Sequence, residues 1–192
     1  EVSGDAVAIP GVAATPPMGW NSWNSFGCGV SEQIVRAQAD ALVSSGLASA
    51  GYRYVVVDDC WQAPSRDASG RLTASADRFP SGMAALGAYL HSRGLLFGIY
   101  TGAGARTCAQ LNGNYPGDTG SRGHESVDAA TFASWGGDYV KDDWCSSDSD
   151  TAAQRAAFTA MRDAIRATGR AMVLAINPNS GCLLYTSPSP RD

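Results

Sequence analysis

The chain has 192 residues, 44% of them hydrophobic and 17% charged, with a formal net charge of -4. That length and hydrophobic content suit one domain with a packed core and exclude wholesale disorder. An acidic balance without a basic run argues against nucleic acid or an anionic membrane as partner and suits a small neutral ligand.

The opening EVSGDAVAIPGVAATPP has neither a basic n-region nor an apolar h-region, and residues 1–14 read as a flexible lead-in. The missing initiator Met suggests a removed signal peptide or a start within a gene. No apolar stretch approaches the roughly 20 residues that span a bilayer. Short runs rich in Val, Ile and Tyr then alternate with longer segments of helical period, the pattern of a parallel sheet with crossover helices.

In chain order, strands are expected at Met18–Trp20, Tyr52–Val57, Leu95–Tyr100, Asp138–Lys141 and Ala171–Ile176. Between them, a helix at about Glu32–Ser45 is capped by Ser31, turns Val35, Ala39 and Leu42 to one side and stops at Gly46. A second is expected at about Gly82–Ser92, a third at Val127–Ser134 and a fourth at Thr151–Thr168, the last with Ala153, Ala157, Met161, Ala164 and Ile165 on one face. These stripes are core patterns. Two long loops, Gln62–Phe79 and Gly102–Ser126, follow strand C-termini, the rim that builds the active site of a β/α barrel; an open doubly wound sheet would use its switch-point crevice instead. No glycine-rich phosphate loop follows any strand, and no cofactor is implied.

Five cysteines, at 28, 60, 108, 145 and 182, lack the CxxC spacing of zinc or redox sites. Four of them fit two disulfides and favour an oxidising, secreted setting.

Carboxylates close two strands: Asp58 and Asp59 in VVVDDCW, Asp142 and Asp143 in YVKDDWC. Side-chain alternation puts Lys141 and Asp143 on one strand face and Val140 and Asp142 on the other. If Lys141 points into the barrel mouth, its charge favours ionised Asp143, as a nucleophile requires; a structural ion pair is the alternative. Trp20, Trp23, Trp61, Tyr100 and Trp144 are expected near the same rim, a mixture of rings and carboxylates that suggests carbohydrate. Magnesium ligation by the paired aspartates is a competing reading. His91 and His124 add little to a metal site.

PPMGWNSWNSFGC, GYRYVVVDDCW, the segment from Gly70 to Cys108 and YVKDDWC together resemble the melibiase-type α-galactosidases of glycoside hydrolase family 27, over about Thr15 to Ile176. The resemblance implies a (β/α)8 barrel, ending here after about the fifth strand, so that residues 15–181 form a partial catalytic domain. It implies hydrolysis of terminal α-linked galactose with retention, through a glycosyl-enzyme on Asp143. Trp20 would stack on the sugar, Asp58 and Asp59 would hold its hydroxyls, and Tyr100 and Lys141 would line the pocket. Asn177 falls about where relatives read the sugar's 2-position, which leaves N-acetylgalactosamine and arabinopyranose-type sugars open. Cys28 would pair with Cys60 and Cys108 with Cys145. Asp142 falls at a position usually apolar or aromatic in the family, which implies a rim or structural role.

The family's acid/base carboxylate has no counterpart in the 192 residues, so the chain alone is expected to be inactive; a noncatalytic sugar-binding module is the alternative. CLLYTSPSPRD, residues 182–192, resembles a translated transposase sequencing adapter and is read as a non-native tail. Oligomeric state is not encoded in any of these features.

Overall fold

The structure, a computed structural model, describes residues 13–145 and 151–178. Most of the expected lead-in, the 182–192 tail and Cys182 lie outside the described residues.

Five strands form one parallel sheet: β1 (Gly19–Asn21), β2 (Tyr54–Val57), β3 (Leu96–Gly102), β4 (Tyr139–Asp143) and β5 (Val173–Asn177), in the order β1-β2-β3-β4-β5. Spatial order that follows chain order leaves no switch point, so every right-handed crossover lies on the same face of the sheet. This is the first five-strand arc of a (β/α)8 barrel, and it removes the doubly wound alternative. The helices are α1 (Trp23–Phe26), α2 (Glu32–Ser44), α3 (Gly82–Ser92), α4 (Cys108–Leu111), α5 (Glu125–Ser134) and α6 (Thr151–Ala167), with a 3-10 turn at Gly27–Gly29.

The helix-facing side of the sheet carries the core. Val55, Val57, Phe97, Ile99 and Val140 are fully buried with Val35 and Ala39 of α2, Leu86 and Leu90 of α3, Phe132 of α5 and Met161 of α6. Each such side chain contributes about 1.5–3 kcal/mol through the water-exposed area it removes. The Ser31 side chain accepts from the Ile34 N–H at 3.4 Å, capping α2 as its sequence predicts.

On α6 the buried line is Gln154, Phe158, Met161, Ala164 and Ile165, while Ala153 and Ala157 pack at its margin against the Trp144 cluster. The expected stripe was therefore turned by one position at its N-terminal end, because the larger Phe158 takes the inward place.

Two further differences matter for the site. β3 and β4 run two residues beyond the expected ends, so Asp142 and Asp143 are strand residues with alternating directions, not loop residues. The short helices α1 and α4 were not expected, since four residues give no measurable period. α4 did carry a readable start, Thr107-x-x-Gln110, which forms a complete capping box.

The two rim loops are fastened to each other. Arg66 of the first donates to both carboxylate oxygens of Asp128 on α5, at 2.5 and 2.8 Å, and to the Gly120 carbonyl of the second loop at 2.8 Å. Gly117, at φ 105°, sits so close to the first loop that an added Cβ would lie 2.2 Å from the Pro64 carbonyl oxygen.

Candidate active site

The other face of the sheet, the barrel interior, gathers polar groups at its C-terminal rim. Alternation along β4 turns Lys141 and Asp143 inward. Lys141 Nζ lies 2.8 Å from Asp58 Oδ2 at the end of β2 and 3.3 Å from Asp143 Oδ2. Asn21, closing β1, donates its side-chain N–H to the same Asp58 oxygen at 2.6 Å, and the Asp58 N–H donates to Ser22 Oγ at 3.0 Å. Tyr100, the register partner of Lys141, places its ring 5.3 Å below the ammonium. Asn177 is the register partner of Asp143 across β4–β5, and its side chain hydrogen-bonds the Asp143 carboxyl.

These contacts join Asp58, Tyr100, Lys141, Asp143 and Asn177 in one constellation. Asp59 is fully buried; its oxygens accept from the N–H groups of Cys60, at 2.7 Å, and Ala109, at 2.8 Å, and from the side chains of Thr107 and Tyr100, so it ties the start of α4 to the Tyr100 side of the constellation.

Trp20 also departs from the sugar-facing position expected of it. Its register partner Val55 belongs to the helix-side core, and its ring packs there, 6.1 Å from Phe26. Trp61 and Trp144 are core rings as well. Trp61 meets Phe132 and Trp135 edge-on and donates to the Tyr100 carbonyl, and Trp144 packs on Phe158. Of the four tryptophans expected near the rim, only Trp23, 38% exposed, presents a large open face; it stands directly after the β1 end that holds Asp58. Asn21 and Ser22 were missed because asparagine and serine at a strand end are ordinary turn residues until the strand order puts them beside Asp58.

The electrostatics follow from burial. Burial pushes the Asp143 carboxyl up, the Lys141 charge and hydrogen bond pull it down, and Asp58 pushes it up again, for a net position above the ordinary carboxylate value. Lys141 therefore favours the ionised form, as its placement implies, but does not outweigh burial. Burial alone would lower the Lys141 ammonium, and the attraction of Asp58 and Asp143 more than offsets it, so the net direction is up and the lysine stays charged. Burial raises Asp59 and Tyr100 in the same way.

Asp58 and Asp143, one from each aspartate pair, converge on the Lys141 ammonium, at 2.8 and 3.3 Å. Among the described residues the only trio of ligand-type side chains with donor atoms within 4.8 Å of one another is Cys108, Asp143 and Cys145. The two expected disulfides, Cys28–Cys60 and Cys108–Cys145, are both formed.

Asp142 lies on the helix side of β4, fully buried, and neither carboxylate oxygen has a hydrogen-bond partner. It is structural, not part of the rim. Burial, then the nearby charges of Asp143, Glu125 and Asp128, hold it well above the ordinary carboxylate value. The folded chain thus keeps a proton that the unfolded chain releases, so this contribution to stability is full below the unfolded carboxylate value and is lost as pH rises toward the folded one. Asp142→Val, which removes the unpaired group, is expected to stabilise the chain by about 1–3 kcal/mol near neutral pH and by less in mild acid. Urea midpoints at the two pH values check this; an unchanged or lower midpoint at neutral pH would contradict it.

Comparison with known proteins agrees with this architecture. The Melibiase_2 family model, described as alpha galactosidase A, matches residues 15–185. The chain is 50% identical over 175 residues to alpha-galactosidase A of Cellvibrio japonicus, covering 91% of the chain and 41% of that protein. Among solved structures, alpha-galactosidase I from Mortierella vinacea superposes with a TM-score of 0.79 at 42% identity, over 88% of this chain and 42% of that one. The Saccharomyces cerevisiae enzyme solved with raffinose gives 0.78 at 38% identity, over 87% and 36%. The chain spans about two fifths of the length of these relatives. With matching motifs, fold and strand order, it belongs to the Melibiase_2 family of alpha-galactosidases.

Proposed function

We propose that the protein to which this chain belongs is a secreted retaining exo-glycosidase that releases terminal α-linked galactose from oligo- or polysaccharides, with Asp143 as nucleophile. One observation carries the reading most: a carboxylate at the inward rim of β4, ion-paired to Lys141 and hydrogen-bonded by Asn177, with one oxygen, Oδ1, left without a partner. A nucleophile needs a lone pair free to approach the anomeric carbon while the other oxygen is held. The raffinose bound in the yeast relative's structure supports an α-galactoside as substrate.

In this mechanism Lys141 orients Asp143 through Oδ2 and ties it to Asp58. Asp58, fixed by Asn21 and Lys141, accepts hydroxyls remote from the anomeric centre. Tyr100 and Asn177 wall the pocket, and the exposed Trp23, in place of Trp20, offers the ring on which the sugar's C–H face rests. Substrate entry excludes water and brings positive charge to C1 as the glycosidic bond breaks, which favours ionised Asp143 at the moment it attacks. Retention also requires a protonated carboxyl about 5 Å away across the scissile bond. Asp58 is bound to Lys141 and Asp59 to two backbone N–H groups, so we assign the acid to the part of the protein that this chain does not span. The two disulfides support the extracellular setting, and no described helix is long and apolar enough to cross a membrane.

Proton NMR of the first sugar released by the full-length gene product from an aryl α-galactoside tests the stereochemistry. The α-anomer of galactose is expected to appear first; initial release of the β-anomer would sink the double-displacement mechanism.

A further inference from the structure

Asp58 and Asp59 are followed by a residue whose backbone adopts a conformation its type avoids. Cys60 has φ 74°, in the left-handed region, and among the described residues the only other non-glycine with positive φ is Ala13, at their very start. A residue with a Cβ leaves that region unless its surroundings hold it there, and such residues concentrate where a site must be aimed. Glycine would occupy it without penalty.

The chain is pinned on both sides of the bend. Before it, each aspartate accepts the next backbone N–H at its Oδ1, Asp58 from Asp59 at 2.9 Å and Asp59 from Cys60 at 2.7 Å. The Oδ2 atoms are thereby aimed. That of Asp58 meets Lys141 Nζ at 2.8 Å and the Asn21 side-chain N–H at 2.6 Å, and that of Asp59 accepts from the Ala109 N–H at 2.8 Å. After the bend, Trp61 enters the core at once, fully buried, and its ring nitrogen donates to the Tyr100 carbonyl at 2.9 Å.

The hold on the bend comes from the Cys60 side chain. It is wholly buried, bonded to Cys28 of the 3-10 turn, and packed with Ala109 and Tyr115 in a small cluster of its own. Cys28 is itself fixed, since its carbonyl accepts from Arg78, whose guanidinium lies over the Tyr115 ring. A glycine would suit the backbone here but could form neither the bond nor the cluster.

We propose that Cys60 is a positioning residue for sugar binding: its bond to Cys28 holds the left-handed bend, and the bend aims Asp58 at Lys141 and at the hydroxyls remote from the anomeric carbon. The inference rests on the reading of Asp58 as a hydroxyl acceptor. It gives this disulfide a part in the site that is separate from its cross-linking of the chain.

The test uses two disulfide-free forms of the full-length gene product, Cys28→Ala/Cys60→Ala and Cys28→Ala/Cys60→Gly. Galactose binding is read by isothermal titration, beside KM and kcat on an aryl α-galactoside. Both forms lack the cross-link equally, and only the glycine keeps the bend without penalty. The alanine form is expected to bind galactose about tenfold more weakly, with KM raised to match and kcat within a few fold. The glycine form is expected to recover to within about threefold of the natural affinity. Equal affinities in the two forms would overturn the proposal, and so would failure of the glycine form to fold. If circular dichroism shows that the alanine form does not fold, Cys28→Ala alone takes its place with the same two outcomes. Asp58→Asn separates this inference from the reading beneath it. Galactose binding unchanged in Asp58→Asn removes the role of Asp58 and the proposal with it; weakened binding there, with equal affinities in the two disulfide-free forms, removes the role of Cys60 alone.

Discussion

Asp143→Asn in the full-length gene product is expected to lower kcat on α-galactosides by on the order of 10⁴-fold or more, with galactose affinity held within a few fold. The amide has the carboxylate's shape but cannot form the glycosyl ester. The neighbouring network should survive the change, because Lys141 keeps its 2.8 Å contact with Asp58 and Asp58 keeps Asn21. Turnover and sugar binding therefore separate at this position, and isothermal titration beside steady-state kinetics reads both. Asp142→Asn, one residue away but on the helix side of β4, should leave kcat within a few fold, which distinguishes loss of a reacting group from loss of local charge.

Arg66→Ala is the second large expectation, and it concerns stability. Asp128 is wholly buried, and Arg66, with a side chain only 11% exposed, supplies both of its charge-assisted contacts across two rim loops. Ser121 Oγ also donates to Asp128 at 2.7 Å and meets Thr101 Oγ1 of β3 at 2.6 Å, so the ion pair sits in a satisfied network. Removing the arginine leaves an uncompensated carboxylate in the interior and should cost about 3–5 kcal/mol. The exposed pair Arg106–Asp118, with half or more of each side chain in water, bounds the contrast: Arg106→Ala should cost no more than about 1 kcal/mol. Urea denaturation of the two variants checks the ranking, and equal losses would contradict the burial argument.

Much of the fold was legible because each level of the sequence agreed with the next. Runs such as YVVV and LFGIY, short and rich in β-branched and aromatic residues, read as buried strands, and Ser31 and Gly46 mark the ends of α2 by chemistry that needs no tertiary partner. Alternation alone separated Lys141 and Asp143 from Asp142. What stayed hidden depends on pairing across long separations. Arg66 and Asp128 are 62 residues apart, and Lys141 and Asp58 are 83 apart; until the parallel register is known, any of several acids could serve either cation. The tryptophans show the same limit. Trp20 and Trp23 share one short motif, yet a three-residue strand followed at once by α1 turns the first toward the helices and leaves the second on the rim.

Asp142 is a conflict of a different kind, since it is a fully buried carboxyl with no hydrogen-bond partner, set near three other acids, Asp143, Glu125 and Asp128. Nothing in YVKDDWC distinguishes it from its neighbour except parity along the strand.

The most direct measurement is to treat the full-length gene product with a fluorinated α-galactosyl donor that forms a slowly hydrolysed glycosyl-enzyme, then to locate the label by peptide mass mapping. The account predicts one fluorogalactosyl group per chain, on the Asp143 side chain. A label on Asp58, Asp142 or any other residue would contradict it.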